Sequence, residues 1–188
     1  MYSDELSIEL RQKIAEKLGL LSKKGWPTIK ALLSQYGAQE ELIMAAGISH
    51  QAEAKSWLIN FLDTDNFNLI GLKALGCWGA SLPLTLIKKT LKHPKQTIRL
   101  AGLELLHFKA HQLSDDELLA ITQETRCDFR DPVVLATIKI LQRRDSLDIC
   151  NALSKIARLG SGSSGEAAIL ALGSIGNSNS IKILFDLK

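Results

Sequence analysis

The sequence predicts an all-α fold and, within that class, an α-solenoid: a right-handed superhelix of stacked helical hairpins. Three observations predict it. A segment rich in small and aliphatic residues recurs at offsets of 30 to 35 residues, and a period of this size is typical of repeat architectures. Almost no stretch alternates apolar and polar residues as strands do. All four prolines fall where a predicted helix begins or ends.

The clearest copy of the repeat is Gly-Glu-Ala-Ala-Ile-Leu-Ala-Leu-Gly-Ser-Ile-Gly at 165–176. Its apolar residues recur at the spacing of one helix face, and its alanines have high helix propensity. Gly176 can stop this helix in a left-handed conformation. A second apolar segment, 181–187, follows a polar turn and completes a hairpin. Because one hairpin cannot cover its own apolar face, neighbouring copies must stack.

Upstream copies align when one apolar position of each is set in register, at Leu75, Leu105, Ile140 and Leu172. A fainter copy lies at 41–48. The first helices of the hairpins are therefore predicted at 39–48, 68–79, 95–108, 131–141 and 165–176. Their second helices are predicted at 51–62, 84–91, 115–123, 147–159 and 181–187.

Residues 1–37 are predicted to form N-terminal capping helices. Ser3 can cap the first of them, with Asp4 and Glu5 favourable in its first turn. The stripe predicted to be buried on this helix consists of Leu6, Leu10, Ile14, Leu18 and Leu21. Pro27 suits the first turn of the next helix, 28–35, and Trp26 before it is expected to pack two helices together.

Local signals mark several boundaries. Ser114 and Glu117 have the spacing of a capping box, and Asp131-Pro132 is expected to open a helix with Asp as its cap. Residues 63–66 are predicted to be a polar turn rather than a calcium loop, since the Gly and Glu of such a loop are missing. Residues 160–165, rich in Gly and Ser, are predicted to be a loop between repeats.

We interpret residues 1–188 as a single repeat domain with about five repeats in 38–188. Solenoids normally end in a repeat with a polar outer face, but 181–188 is apolar on several sides. We therefore expect the chain to be a fragment of a longer array. Alternatively, another copy or a partner covers this end, which makes self-association through it possible.

Composition excludes several classes. A net charge of +3 is too small to indicate nucleic acid by itself. Cys77, Cys127 and Cys150 are widely spaced without a C-x-x-C pair, so buried free thiols of a reducing compartment are expected instead of disulfides or a zinc site. Neither a signal peptide nor a membrane span is evident, and a cytoplasmic location without membrane contact is expected.

The most distinct charge feature is the segment 88–99, with five Lys or Arg residues and no acidic residue. Together with later arginines it forms a candidate partner-binding basic strip, able to hold phosphates or an acidic protein. The alternative is an ordinary solvated turn. Missing interleaved aromatics weaken the case for single-stranded nucleic acid. The strip consists of Lys88, Lys89, Lys92, Lys95, Arg99, Arg126, Arg130, Arg143 and Arg144.

No motif predicts chemistry. His107 and His111 have the spacing of two zinc ligands, but the adjacent Glu and the third ligand of such a site are missing. Asp115, Asp116 and Glu117 are typical of a helix N-terminus. Neither a glycine-rich phosphate loop nor a nucleophile motif is present. The sequence therefore predicts no catalytic residue, no metal site and no cofactor.

The segments 72–79, 98–106 and 166–176 resemble HEAT repeats, most closely the short type of the phycobilisome lyases. The resemblance covers about 39–188, and it implies a fold more than a function, because this repeat serves many roles. The order of segments 24–33 and 40–46, followed by HEAT-like units, also resembles the HEAT-like accessory proteins of bacterial type VI secretion loci. That resemblance implies a cytoplasmic adaptor or chaperone for secreted spike or effector proteins.

The functional prediction is therefore a non-enzymatic scaffold that binds a protein partner along a concave face made of second helices. Two alternatives stay open at this point. The repeat type suggests a bilin lyase-like protein acting on phycobiliproteins. The basic strip suggests a HEAT-like DNA glycosylase or another nucleic-acid binder, which requires a carboxylate and aromatic side chains in a basic groove.

Overall fold

The computed structural model describes residues 2–3, 5–63, 67–160 and 162–187, which contain thirteen α-helices and no strand. The all-α prediction is confirmed. The chain divides into two compact units, an N-terminal unit of residues 1–82 and a C-terminal unit of residues 83–188. No described helix is both long enough and apolar enough to cross a bilayer.

The N-terminal unit contains α1 (Ile8–Leu20), α2 (Trp26–Tyr36), α3 (Glu40–Ile48), α4 (Ala52–Asp63) and α5 (Leu69–Gly76). Helix α3 lies between α1 and α5, and both α2 and α4 pack beside it. Small residues set these spacings. A Cβ added at Gly47 would lie 2.6 Å from the Ala74 carbonyl oxygen, and one at Gly19 would lie 2.9 Å from that of Ala45. The α3 interfaces therefore depend on glycine.

The prediction for α1 was wrong in two respects. The helix begins after Ser7, whose side chain accepts a hydrogen bond from the Leu10 amide, and not after Ser3; Asp4 lies outside the described residues. Its buried residues are Ala15 and Gly19. Leu10, from the predicted stripe, is exposed. The reason is that α3 approaches α1 on the side of its small residues, which periodicity of large apolar residues does not indicate.

The next element agrees with its prediction. Pro27 lies in the first turn of α2. Trp26 is buried, and its indole Nε1 donates to Glu53 Oε2 of α4 at 3.0 Å. Trp26 therefore packs the two helices together and satisfies its one polar atom at the same interface.

The C-terminal unit contains α6 (Leu84–Leu91), α7 (Gln96–Lys109), α8 (Asp115–Ile121), α9 (Gln123–Arg126), α10 (Asp131–Leu141), α11 (Leu147–Leu159), α12 (Ser163–Ile175) and α13 (Ser178–Asp186). Helix α10 contacts α7 on one side and α12 on the other. Helix α11 likewise contacts α8 and α13. First helices thus contact first helices and second helices contact second helices, one hairpin apart.

Side-chain hydrogen bonds join the hairpins of this unit at the repeat spacing. Ser163 Oγ donates to Asp131 Oδ2 at 2.8 Å, across 32 residues. Asn177 Nδ2 donates to the Asp145 carbonyl oxygen at 2.6 Å, again across 32 residues. The four register positions Leu75, Leu105, Ile140 and Leu172 are all buried in their own units.

The local signals gave mixed results. The Ser114 capping box is present, and Gly176 ends α12 in the left-handed conformation, with φ of 63°. Arg130, and not Asp131, occupies the cap position of α10; Asp131 is the first helical residue, and its carboxylate accepts from Ser163. The predicted loop 160–165 is shorter, since α12 already begins at Ser163; Ser161 lies outside the described residues. The predicted turn 63–66 also lies outside them, apart from Asp63 at the end of α4.

The three cysteines are free, but they are not equally buried. Cys150 is buried, Cys77 is half-buried and Cys127 is exposed. Burial raises the pKa of Cys77 and of Cys150 above the ordinary thiol value. The expectation of buried thiols is wrong for Cys127, which lies in the segment between α9 and α10.

Candidate protein-binding groove

Several arginines of the predicted basic strip form hydrogen bonds and ion pairs within the C-terminal unit. Asp128, whose side chain is only 1% exposed, accepts from two strip arginines. Arg99 Nη1 donates to its Oδ2 at 2.7 Å, and Arg130 donates from Nε at 2.7 Å and from Nη2 at 2.9 Å. The same guanidiniums also donate to backbone carbonyls, Arg99 to His93 and Arg130 to Pro94, each at 2.7 Å. This cluster ties α7 to the segment before α10.

The pKa of Asp128 reflects this cluster. Burial by itself raises that pKa, but hydrogen bonds and charge from Arg130, with the charge of Arg99, outweigh burial. The pKa of Asp128 therefore lies below its ordinary value. Its carboxylate stays ionised and holds both arginines in fixed positions.

Arg144 also forms hydrogen bonds within the C-terminal unit. Its Nη2 donates to the carbonyl oxygens of Ala110 at 2.7 Å and Leu113 at 2.9 Å. Its Nη1 donates to Asp115 Oδ1 at 3.2 Å. Arg144 therefore links the turn after α10 to the turn before α8.

The remaining cations of the strip differ. Lys88, Lys89, Lys95 and Arg143 are exposed, and Lys92 Nζ lies 3.4 Å from Glu124 Oε1. The structure thus separates five exposed cations, the four lysines and Arg143, from the arginines that bond to their own chain. A partner-binding role for the exposed residues stays a prediction.

Grooves lie between neighbouring helices or segments in both units. One lies between α2 and α4, with a volume of about 570 Å³. A second, of about 330 Å³, lies between α6 and the α8–α9 segment. A third, of about 390 Å³, lies between residues 126–131 and the last two turns of α11. We call this third one the Phe129 groove.

The two most exposed large apolar side chains of the described residues lie at the Phe129 groove. Phe129 is 90% exposed and Leu159 is 85% exposed, and both line the groove. Exposure of a large apolar side chain forgoes about 1.5–3 kcal/mol that burial would provide. Two such side chains flanking one groove are therefore typical of a binding surface.

Phe129 is held in place by the arginine cluster. The Arg130 guanidinium carbon lies 4.8 Å from the centroid of the Phe129 ring, within the range of a cation–π interaction. Arg130 itself is fixed by Asp128. The position of the Phe129 ring is therefore restricted before binding, so less conformational entropy is lost when a partner binds.

Arg126 lines the same groove from the end of α9. Its Nη2 donates to the Leu119 carbonyl oxygen at 2.9 Å. Its Nε is buried, and among the described residues it has no hydrogen-bond partner. Burial lowers the pKa of Arg126, because the charged form is partly desolvated.

The sequence did not indicate this groove. Leu159 continues the i, i+3 spacing of Leu153 and Ile156 on α11, which predicts burial. In the structure Leu159 is instead 85% exposed and lines the groove. A single Phe in the polar segment 127–130 was the one available signal.

The residues considered for metal binding do not form a cluster. His107 lies in α7, whereas His111 lies in the short 3₁₀ turn that follows. Over the described ranges, no three His, Cys, Asp or Glu side chains come close enough to share a metal ion.

No protein-family model matches the chain, and a comparison with curated proteins found no match.

Proposed function

We propose that the protein is a non-enzymatic α-solenoid of HEAT-like hairpins that binds a segment of another protein in the Phe129 groove. The observation that carries this proposal is the exposure of Phe129 and Leu159 on two sides of one groove. The resemblance to accessory proteins of type VI secretion loci suggests a cytoplasmic adaptor or chaperone as the biological setting.

Support for the solenoid comes from packing inside each unit. In the C-terminal unit α7, α10 and α12 contact in sequence, and so do α8, α11 and α13. In the N-terminal unit α1, α3 and α5 do the same. Contacts only between successive copies are the defining feature of a solenoid.

The groove has the composition of a protein-binding hot spot. Aromatic residues and arginines dominate such sites, and a ring with few rotatable bonds loses little entropy on binding. Here Phe129 and Arg126 meet the aliphatic side chains of Val134, Ile156 and Leu159. The described groove residues offer anchors for a partner more clearly than a set of groups for catalysis.

The alternative of a DNA glycosylase receives less support from the structure. The groove beside Lys88 and Lys92 contains the carboxylate of Glu124 but no aromatic side chain among its described lining residues. The arginines Arg99, Arg130 and Arg144 bond within the unit. A basic groove with aromatics, as that chemistry requires, is not formed by these residues.

The double substitution Phe129→Ser/Leu159→Ser tests the binding proposal. We expect the intact protein to retain a partner from an extract of its source cells. Loss of two anchors should weaken that complex at least about thirtyfold, because a hot-spot residue contributes about 2 kcal/mol or more. The measurement is a quantitative pull-down followed by titration of the purified pair.

The matched control is Leu147→Ser/Leu170→Ser, which removes two exposed leucines of the same unit outside the Phe129 groove. This control should bind like the unmodified protein. If both double variants retain the partner equally well, the partner binds outside the Phe129 groove and the proposal is wrong.

A further inference from the structure

The hairpin formed by α12 and α13 exposes four large apolar side chains. Ile169 and Leu170 of α12 are 44% and 72% exposed, and Ile181 and Phe185 of α13 are 45% and 66% exposed. On each helix the two residues lie on one side. We call these four residues the α12–α13 face. Clustered apolar exposure of this kind is typical of a surface that binds another protein surface.

The preceding hairpin, α10 and α11, contains the equivalent positions. Two hydrogen bonds that join the hairpins each span 32 residues, so this offset relates one hairpin to the next. Subtracting 32 from the residues of the α12–α13 face gives four residues that are all between 0% and 2% exposed. They are Thr137, Ile138, Ile149 and Leu153. Positions that are buried in one hairpin are therefore exposed in the next.

The following neighbour accounts for this difference. Both hairpins have a preceding neighbour, since α10 contacts α7 and α12 contacts α10. The α10–α11 hairpin is also covered on its other side, by α12 and α13, whereas the α12–α13 face stays exposed among the described residues. The α12–α13 face is therefore the kind of surface on which another pair of helices packs.

Gly173, one turn after Ile169 and Leu170, supports this conclusion. Gly47 of α3 and Gly173 each lie three residues before a residue with positive φ. At Gly47 the next first helix is so close that an added Cβ would lie 2.6 Å from the Ala74 carbonyl oxygen. At Gly173 an added Cβ would meet no described atom beyond its own helix within 4 Å. The surface of α12 at Gly173 therefore has room for a closely packed helix.

We propose that the α12–α13 face binds a second copy of this chain in a symmetric dimer. The two-fold axis runs across both helices, so that α12 packs antiparallel on α12 of the second copy and α13 on its α13. The same apolar residues then meet from both sides, and they form the buried centre of the interface. This inference concerns a second surface and does not depend on the Phe129 groove.

The charges beside the face favour a second copy as the occupant. Lys182 and Asp186 lie one turn apart on α13, and both are exposed. In an antiparallel pair of identical helices the same flank meets itself, which places Lys182 of each copy opposite Asp186 of the other. The dimer therefore gains two symmetric ion pairs at its edge, whereas a uniformly basic or acidic segment would meet a like charge.

Sedimentation equilibrium of the unmodified chain tests the inference. Between about 1 and 100 µM, the range of ordinary protein association, we expect the mass to rise from that of one chain, 20.6 kDa, toward twice that value and not beyond. Leu170→Ser/Ile181→Ser should weaken the dimer at least about thirtyfold, because two apolar contacts are lost in each copy. The matched control is Phe129→Ser/Leu159→Ser, which changes exposed apolar residues elsewhere and should leave the dimer unchanged.

Charge substitutions on α13 test the antiparallel geometry at exposed positions. Lys182→Glu should weaken the dimer about tenfold, because it places two carboxylates opposite each other. Lys182→Glu/Asp186→Lys exchanges the two charges and should restore the affinity. Lys139→Glu makes the same change at an exposed position of α10 and should have no effect on the dimer.

A monomer throughout the concentration range overturns the inference, as does a dimer that Phe129→Ser/Leu159→Ser dissociates. A mass that exceeds two chains indicates head-to-tail assembly and also overturns it. Failure of the exchanged charges to restore the dimer contradicts the antiparallel arrangement. The monomeric variant Leu170→Ser/Ile181→Ser keeps the Phe129 groove and should still retain the partner of the proposed function, so the two proposals fail separately.

Discussion

Replacing Asp128 with alanine is expected to lower the free energy of unfolding of the C-terminal unit by about 3–5 kcal/mol, the usual cost of breaking a buried ion pair. The carboxylate is almost completely buried and bonds to both Arg99 and Arg130. Its removal leaves two guanidiniums, each less than one fifth exposed, without their counter-ion. Denaturant unfolding followed by circular dichroism measures the loss.

The control for this substitution is Asp148→Ala, an exposed carboxylate in the first turn of α11. Its interaction with the helix dipole is worth about 1 kcal/mol or less. An Asp128→Ala protein as stable as this control would show that the arginine cluster is not a structural link between α7 and α10.

The pH dependence provides a second readout of the same cluster. Since the pKa of Asp128 is lowered in the folded state, its contribution is complete above the unfolded value of about 4. That contribution is lost as the pH falls through the lower folded value. We therefore expect the unmodified protein to lose stability below about pH 4, with a smaller loss over that range in Asp128→Asn. Identical profiles would contradict the lowered pKa.

Leu172→Ala is expected to cost about 2–5 kcal/mol, as complete truncation of a buried leucine does when a cavity remains. Leu172 is 0% exposed in α12, at the position aligned with Leu105 and Ile140. Leu170→Ala changes the same chemistry two residues away, where the side chain is 72% exposed. It should alter the free energy of unfolding by about 0.5 kcal/mol or less.

The comparison of Leu172→Ala with Leu170→Ala is informative because both remove the same atoms from one helix. Thermal and denaturant unfolding of the two variants, measured side by side, give the difference directly. Equal losses would mean that the repeat register does not identify the buried side of α12.

Local chemistry made some features predictable. The Ser114 cap and the left-handed Gly176 depend on residues within one turn of the chain, so the sequence alone contains the reason for them. Helices α10 and α11 also lie where the spacing of apolar residues predicts them. Periodicity indicates that a helix buries a side, because that side must be covered.

Features that depend on distant residues were not predictable. The buried side of α1 is decided by the approach of Ala45 and Ile48 to Gly19, which apolar spacing within α1 does not reveal. The basic strip did not identify which cations are exposed, for the same reason. Arg99 finds its partner 29 residues away, and a count of cations in a segment does not show where their counter-ions lie.

The sequence did not predict the Phe129 groove, because the groove is recognised by the exposure of apolar side chains, and exposure cannot be read from apolar spacing. Leu159 fits the apolar spacing of α11, yet it is the segment between α9 and α10 that determines whether anything covers it. The orphan Nε of Arg126 is likewise a property of packing, because the same arginine at the end of an isolated helix would be solvated.

Site-specific photo-crosslinking from position 129 tests the central claim most directly. A photoreactive phenylalanine analogue placed at Phe129, in the source cells, should give one discrete adduct with another protein. The same analogue at Leu147, which is exposed but outside the Phe129 groove, should give none. An adduct of equal yield from both positions, or none from position 129, would contradict the assignment of the Phe129 groove as the site where this protein binds its partner.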